Sequence, residues 1–280
     1  VFDTNLRPLS LGEILDRTFT LYRQNFLLFF GITAIPYTLN LALGLFQIWY
    51  FGAATAKGIQ ALSAMVTGPR LLFTLLSMVV GGLVYIFSEG GTILAITQLY
   101  LGRQTSMAAA LQGVWDEFGT LFGVVILNGL AVGVGFICLI VPGIYLLCRL
   151  MVCLPAALVE KLGASESLSR SFELTRDNAG RAFMILLVFF AVSIAGGTMI
   201  GVVLIPLTLT HRDPSELRLV ASATIVLQMV VNALVAPVLL VASSVFYFDL
   251  RVRKEAFDLQ FMMNPNSEHI ARTRAPGSIL

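Results

Sequence analysis

Residues 182–207 read AFMILLVFFAVSIAGGTMIGVVLIPL, twenty-six positions without one charged side chain. About 20 apolar residues of helix span the ~30 Å of a bilayer's hydrocarbon, so this run alone predicts a membrane crossing. Working outward from it, five more runs qualify: 26–50, 71–99, 118–140, 143–159 and 219–248. The composition agrees, with 57% hydrophobic and 12% charged residues and a mean hydropathy of +0.87. Soluble domains carry about 25% charge, so an ordinary soluble domain is excluded. The expected fold class is all-α: a polytopic integral membrane protein with six transmembrane helices in three hairpins. Between the third and fourth runs stands only Val141-Pro142-Gly143. Proline ends a hydrogen-bond ladder and glycine accepts a turn, so a tight hairpin is expected there.

The basic residues set the direction of the spans. Thirteen fall on the side of the N-terminus, the 100–117 and 160–181 loops and the C-terminus, and four on the other, Lys57, Arg70, Arg212 and Arg218. Arg149 remains inside the fourth run. Both termini are therefore expected in the cytoplasm. Residues 1–263 read as one membrane domain and 264–280 as a polar, disordered tail. The three cysteines, Cys138, Cys148 and Cys153, lie in apolar runs and read as small buried hydrophobes.

The segments expected in the cytoplasm resemble one another. Leu15, Leu111 and Leu168 are each followed four residues later by an aromatic, Phe19, Trp115 and Phe172. Apolar residues four apart, interleaved with Asp16, Arg17, Asp116, Arg170 and Glu173, share one face of a helix. Each span pair would then follow an amphipathic helix lying in the headgroup plane, with these six residues as anchors. A short loop helix that merely needs leucine and phenylalanine toward lipid would look the same.

The opening Arg7-Pro8-Leu9-Ser10-Leu11-Gly12-Glu13-Ile14-Leu15-Asp16-Arg17 runs on to Tyr22-Arg23-Gln24-Asn25-Phe26. Later come Pro142-Gly143-Ile144-Tyr145, Glu160 with Ser167-Leu168-Ser169-Arg170-Ser171, and the exit Tyr247-Phe248-Asp249-Leu250-Arg251-Val252-Arg253-Lys254-Glu255. Over about residues 5–260 the chain resembles the glycerophosphoryl diester phosphodiesterase membrane-domain family and related bacterial inner-membrane proteins. That resemblance implies a membrane part with no assigned chemistry of its own. The esterase of bifunctional members is a separate soluble domain, and none is expected in the roughly 30 residues after the sixth run.

Neither histidine suggests catalysis. His211-Arg212-Asp213 superficially resembles a His-Arg-Gly motif, but aspartate stands where glycine would, acidic metal ligands are missing around it, and the adjoining Pro214 marks a turn. His269 lies in the tail. No catalytic residue, metal or cofactor is expected. Glu89 and Arg149 stand out as the acidic and the basic residue deep within the runs. An ionisable group at that depth costs at least ~2.5–3.5 kcal/mol, and a mutual pair would lower the cost of both. They could be a strut that fixes helix order, a polar pathway for an ion or solute, or groups snorkelling to the interface. Asn128 and Asn232, with Asn40, Gln47 and Gln228, are expected to bond between helices. Gly129–Gly133 and Gly197–Gly201 form GxxxG spacings, expected to pack within the chain.

The function expected is non-enzymatic, a membrane scaffold or accessory subunit of a membrane complex. The second reading is a transporter or channel-like component using Glu89 and Arg149, and a lipid-acting intramembrane enzyme comes third. Membrane lipids and other membrane subunits are the expected partners, and nucleic acid is not. The expected location is the bacterial inner membrane.

Overall fold

The computed structural model describes residues 8–52, 68–100, 103, 105–210 and 213–255. Lys57, His211, His269 and the 264–280 tail lie outside the described residues. Within them the chain forms helices α1 (Leu11–Gln24), α2 (Phe26–Phe51), α3 (Gly68–Tyr100), α4 (Met107–Trp115) and α5 (Phe118–Cys138). Then follow α6 (Ile140–Arg149), α7 (Cys153–Glu160), α8 (Ala164–Leu174), α9 (Ala179–Thr210) and α10 (Pro214–Glu255). Six helical stretches are long and apolar enough to cross a membrane: α2, α3, α5, α6 with α7, α9 and α10.

The turn between the third and fourth runs is tighter than expected and sits earlier. It is the single residue Leu139, extended at φ −169°. Pro142 falls in the first turn of α6, where the N–H it lacks would have had no partner anyway. The close approach depends on Gly143, because a Cβ there would stand 2.5 Å from the Phe136 ring. Before Pro155 the fourth run breaks again at 150–152, since a proline cannot donate to the carbonyl four residues back.

Consecutive long helices pack together, α2 on α3, α5 on α6 and α9 on α10. The three short helices share a register. Their N-caps, Ser10, Ser106 and Gly163, each stand five residues before Leu15, Leu111 and Leu168. Ser10 and Glu13 close a reciprocal capping box, which satisfies two otherwise orphaned donors of α1. Each short helix packs on the long or broken helix that precedes it: α4 on α3 and α8 on α7. α1, the first described helix, packs on the last described one, α10, so the arrangement closes as a ring.

α1 lies lengthwise along α10 instead of across the end of the bundle. Its N-terminal side meets Asp249 through Leu9, and Tyr22 donates to the Leu234 carbonyl 2.8 Å away. The buried faces also begin one residue before the expected anchors. Ile14 and Thr18, Ala110 and Val114, and Ser167 and Ser171 are buried, while Leu111, Leu168 and Phe172 are half-buried and Trp115 is 74% exposed. Leu15 and the half-exposed Phe19 line an apolar cavity of about 50 Å³ against α9 and α10. One residue is a rotation of about 100° on a helix, enough to turn an anchor from the core to its margin.

Burial divides the molecule in two. In α3 no residue from 68 to 80 is buried, whereas Ile93, Ala95, Ile96 and Thr97 all are. Every residue of α10 from Leu240 to Val252 is buried. With 42 residues, α10 is about 63 Å long at 1.5 Å per residue, twice the ~30 Å hydrocarbon core. One half of the bundle therefore exposes apolar surface such as Leu72, Met78, Ile137 and Val202. The other half is enclosed by α1, α4, α7 and α8.

Candidate functional site

The enclosed half carries the charge. The Asp249 carboxylate is fully buried and accepts from the Leu9 N–H at 2.6 Å, the Arg181 guanidinium at 2.8 Å and the Arg253 Nε at 3.0 Å. Arg181 and Arg253 both donate to the Leu9 carbonyl as well. One carboxylate thus joins the chain before α1, the start of α9 and the end of α10. Asp249 and Arg253 are one turn apart, a spacing that places them on the same face of α10.

A second cluster adjoins the first. Arg170 on α8 meets Glu160 at 2.8 Å, Glu173 at 3.1 Å and Glu255. Burial works against its charge, but Glu160 and Glu255 prevail and raise its pKa. The Tyr247 hydroxyl donates to Glu160 at 2.8 Å, and Arg251 pairs with Glu255 at 2.9 Å. Tyr247, Arg251 and Glu255 repeat every four residues along one face of α10. These side chains pair with one another, and their geometry is that of a fastening between α7, α8 and α10.

Charge counting did not find these residues. It placed them on one side of the membrane without pairing them. The signal was present nonetheless, because Leu9, Glu160, Arg170 and Tyr247 through Glu255 all lie in the stretches that carry the family resemblance. The i, i+4 spacing of Asp249 with Arg253 and of Arg251 with Glu255 could have been read directly.

The expected pairing of Glu89 with Arg149 does not occur. Glu89 sits on α3 and interacts with Tyr85, one turn earlier, and with Tyr37 of α2. Arg149 ends α6, with its guanidinium carbon 5.0 Å from the centre of the Phe172 ring and 5.8 Å from that of Tyr145. Its Nε is buried without an acceptor. The two residues face different neighbours, Glu89 toward α2 and Arg149 toward α8, so no shared polar site forms between them.

The amide side chains mostly bond within their own helices. Asn232 accepts from Gln228 at 3.1 Å, and Asn40 donates to Pro36 at 2.8 Å. Asn128 is half-buried on α5. Gln47 does bond between helices, to Thr74 at 3.1 Å. The more telling interhelical bonds come from hydroxyls. Pro36 cannot donate to the Ile32 carbonyl, and Ser88 of α3 donates to it at 2.7 Å. Pro237 likewise leaves the Ala233 carbonyl free, and Thr33 of α2 reaches it at 3.4 Å. The break after α6 frees the Arg149 carbonyl, which accepts from Ser171 at 2.7 Å and Thr175 at 3.0 Å. In hydrocarbon each freed carbonyl needs such a partner.

Three of the GxxxG glycines do not pack within the chain as expected. A Cβ on Gly129, Gly133 or Gly197 would meet nothing within 4 Å. Gly133 lies about 200° around the helix from Gly135, and it is Gly135 that faces α6. Cys148 and Cys153 are buried as expected, but Cys138, at the end of α5, is exposed. Among the described residues no group of three or more His, Cys, Asp or Glu is placed to hold a metal ion.

A family model described as the membrane domain of glycerophosphoryl diester phosphodiesterase matches residues 126–275. The match thus begins within α5 and takes in the whole of the ionic cluster on α10. No curated protein and no solved structure matches the chain. The model covers more than half of the sequence and describes only a membrane part, so the chain belongs to the family of the membrane domain of glycerophosphoryl diester phosphodiesterase.

Proposed function

We propose that this chain is a non-enzymatic membrane scaffold or accessory subunit of the bacterial inner membrane. The exposed apolar half lies in the bilayer, and the enclosed half stands at the cytoplasmic side with both termini. One observation carries the reading: the charges of the enclosed half are tied to one another across α7, α8, α9 and α10. Such a network fixes a surface in place and offers its members little freedom to bind and release a solute. Membrane lipids and neighbouring membrane subunits are the partners such a surface would serve.

Proteoliposomes holding the purified chain test this against transport. The scaffold reading expects proton and potassium fluxes equal to those of protein-free vesicles. A flux that Glu89→Gln abolishes would overturn it in favour of a transport pathway at Glu89. Orientation is checked separately with a cysteine at the exposed Ser215. It should react with a membrane-impermeant maleimide from outside intact cells, and labelling only after permeabilisation would reverse the assignment.

A further inference from the structure

The arginines that fasten the enclosed half are paired one by one. Arg170, Arg181, Arg251 and Arg253 each meet a carboxylate. Arg149 stands in no ion pair among the described residues, and its Nε is buried without an acceptor. It is nevertheless held firmly. Its carbonyl accepts from Ser171 and Thr175, and Phe172 and Tyr145 lie against its guanidinium. Aromatic rings cover the faces of a planar guanidinium and leave its in-plane N–H groups for an acceptor. A phosphate matches that fork with two parallel, charge-assisted hydrogen bonds.

The position points to the source of the phosphate. Tyr145, one turn before Arg149, is exposed and follows the exposed apolar run from Phe136 to Val141. On the other side, Thr175 leads directly into Arg176 and Asp177, both exposed. Apolar surface therefore gives way to charged surface at the level of Arg149, as it does where acyl chains meet headgroups. We propose that Arg149, framed by Tyr145 and Phe172, binds the phosphate of an anionic phospholipid in the inner leaflet. This rests on the reading that the exposed apolar half of the bundle lies in a bilayer and the enclosed half outside it.

The test uses the full chain in nanodiscs of equal parts phosphatidylglycerol and phosphatidylcholine, with retained lipid counted by native mass spectrometry. The wild-type chain is expected to retain phosphatidylglycerol over phosphatidylcholine. Arg149→Gln should lower that preference about tenfold, the equivalent of ~1.4 kcal/mol, with Arg149→Lys and Phe172→Leu between the two. Equal retention by the wild type and Arg149→Gln overturns the proposal. Should Arg149→Gln fail to fold, the two milder variants decide, and unchanged retention in both overturns it equally. Stabilisation of the lipid-free chain in detergent by inorganic phosphate, without any preference among lipids, would assign the site to free phosphate and overturn the lipid. Carbonate extraction keeps the two readings apart. Wild type and variants that stay in the membrane pellet uphold the bilayer reading whatever the lipid counts show, and a wild-type chain released by carbonate overturns both.

Discussion

At the scale of the residue, Asp249 carries more than any other single side chain. It is buried and accepts from three donors, two of them cationic. Removing one member of a buried, hydrogen-bonded ion pair costs about 3–5 kcal/mol, because the charges left behind are neither paired nor solvated. Asp249→Ala should therefore lower thermal stability in detergent by that order, and Arg253→Ala by less, since Arg253 is the more exposed of its pair. Equal and small losses from both would show that the buried carboxylate is not the centre of the network. The sequence announced that Asp249 is unusual only through its place in the Tyr247–Glu255 stretch. Nothing local says that its partners stand at Leu9 and Arg181, because those contacts exist only once α10 meets α9 and the chain before α1.

At the scale of the element, what was legible followed period and length. Apolar runs give helices, and six of them were placed from hydropathy alone. The turn at Leu139 and the break at 150–152 were less legible, since a proline marks the neighbourhood of an interruption and not its residue. The protein-facing sides of the short helices begin one position before the anchor residues, and the glycines show why such faces are hard to read: contact depends on which neighbour a face meets. Gly90 and Gly82, both on α3, make the contrast testable. A Cβ on Gly90 would stand 2.7 Å from Leu121 and 3.2 Å from Val114, whereas one on Gly82 meets nothing within 4 Å. Gly90→Val should destabilise by about 1–3 kcal/mol through overpacking. Gly82→Ala should be neutral or stabilising by up to ~1 kcal/mol, because alanine loses less backbone entropy than glycine on entering a helix. Melting temperatures of the two variants in one detergent decide the matter, and a more damaging Gly82→Ala would contradict the packing of α3 on α4 and α5.

At the scale of the whole molecule, the division into an exposed apolar half and an enclosed charged half was only half legible. Positive charge marked the side; the length of α10, which runs well past the hydrocarbon core, gives that side its depth. The pairing of Glu89 with Arg149 was inferred from their being one acid and one base in low dielectric. Attraction cannot act between groups that the ring of helices turns toward different neighbours. Their separation makes a prediction opposite to pairing. The losses from Glu89→Leu and Arg149→Leu should add in the double variant within about 0.3–0.5 kcal/mol, as they do for sites without shared partners. A double variant as stable as the better single one would restore the pair.

The contact between Leu9 and Asp249 bridges 240 positions of sequence, and that bears on how the protein is made. At roughly 5–20 residues per second, a ribosome that has produced the first of these residues needs some 10–50 s to deliver the second. Throughout that interval the opening helix has been synthesised but lacks the surface it finally covers. It must wait at the membrane, in the care of lipid or of the insertion machinery. The ring then shuts only after the end of α10 has been made. A ribosome stalled before the end of α10 would leave a chain with the earlier apolar helices made and nothing to fasten α1, a form that quality-control proteases would recognise by that loose helix.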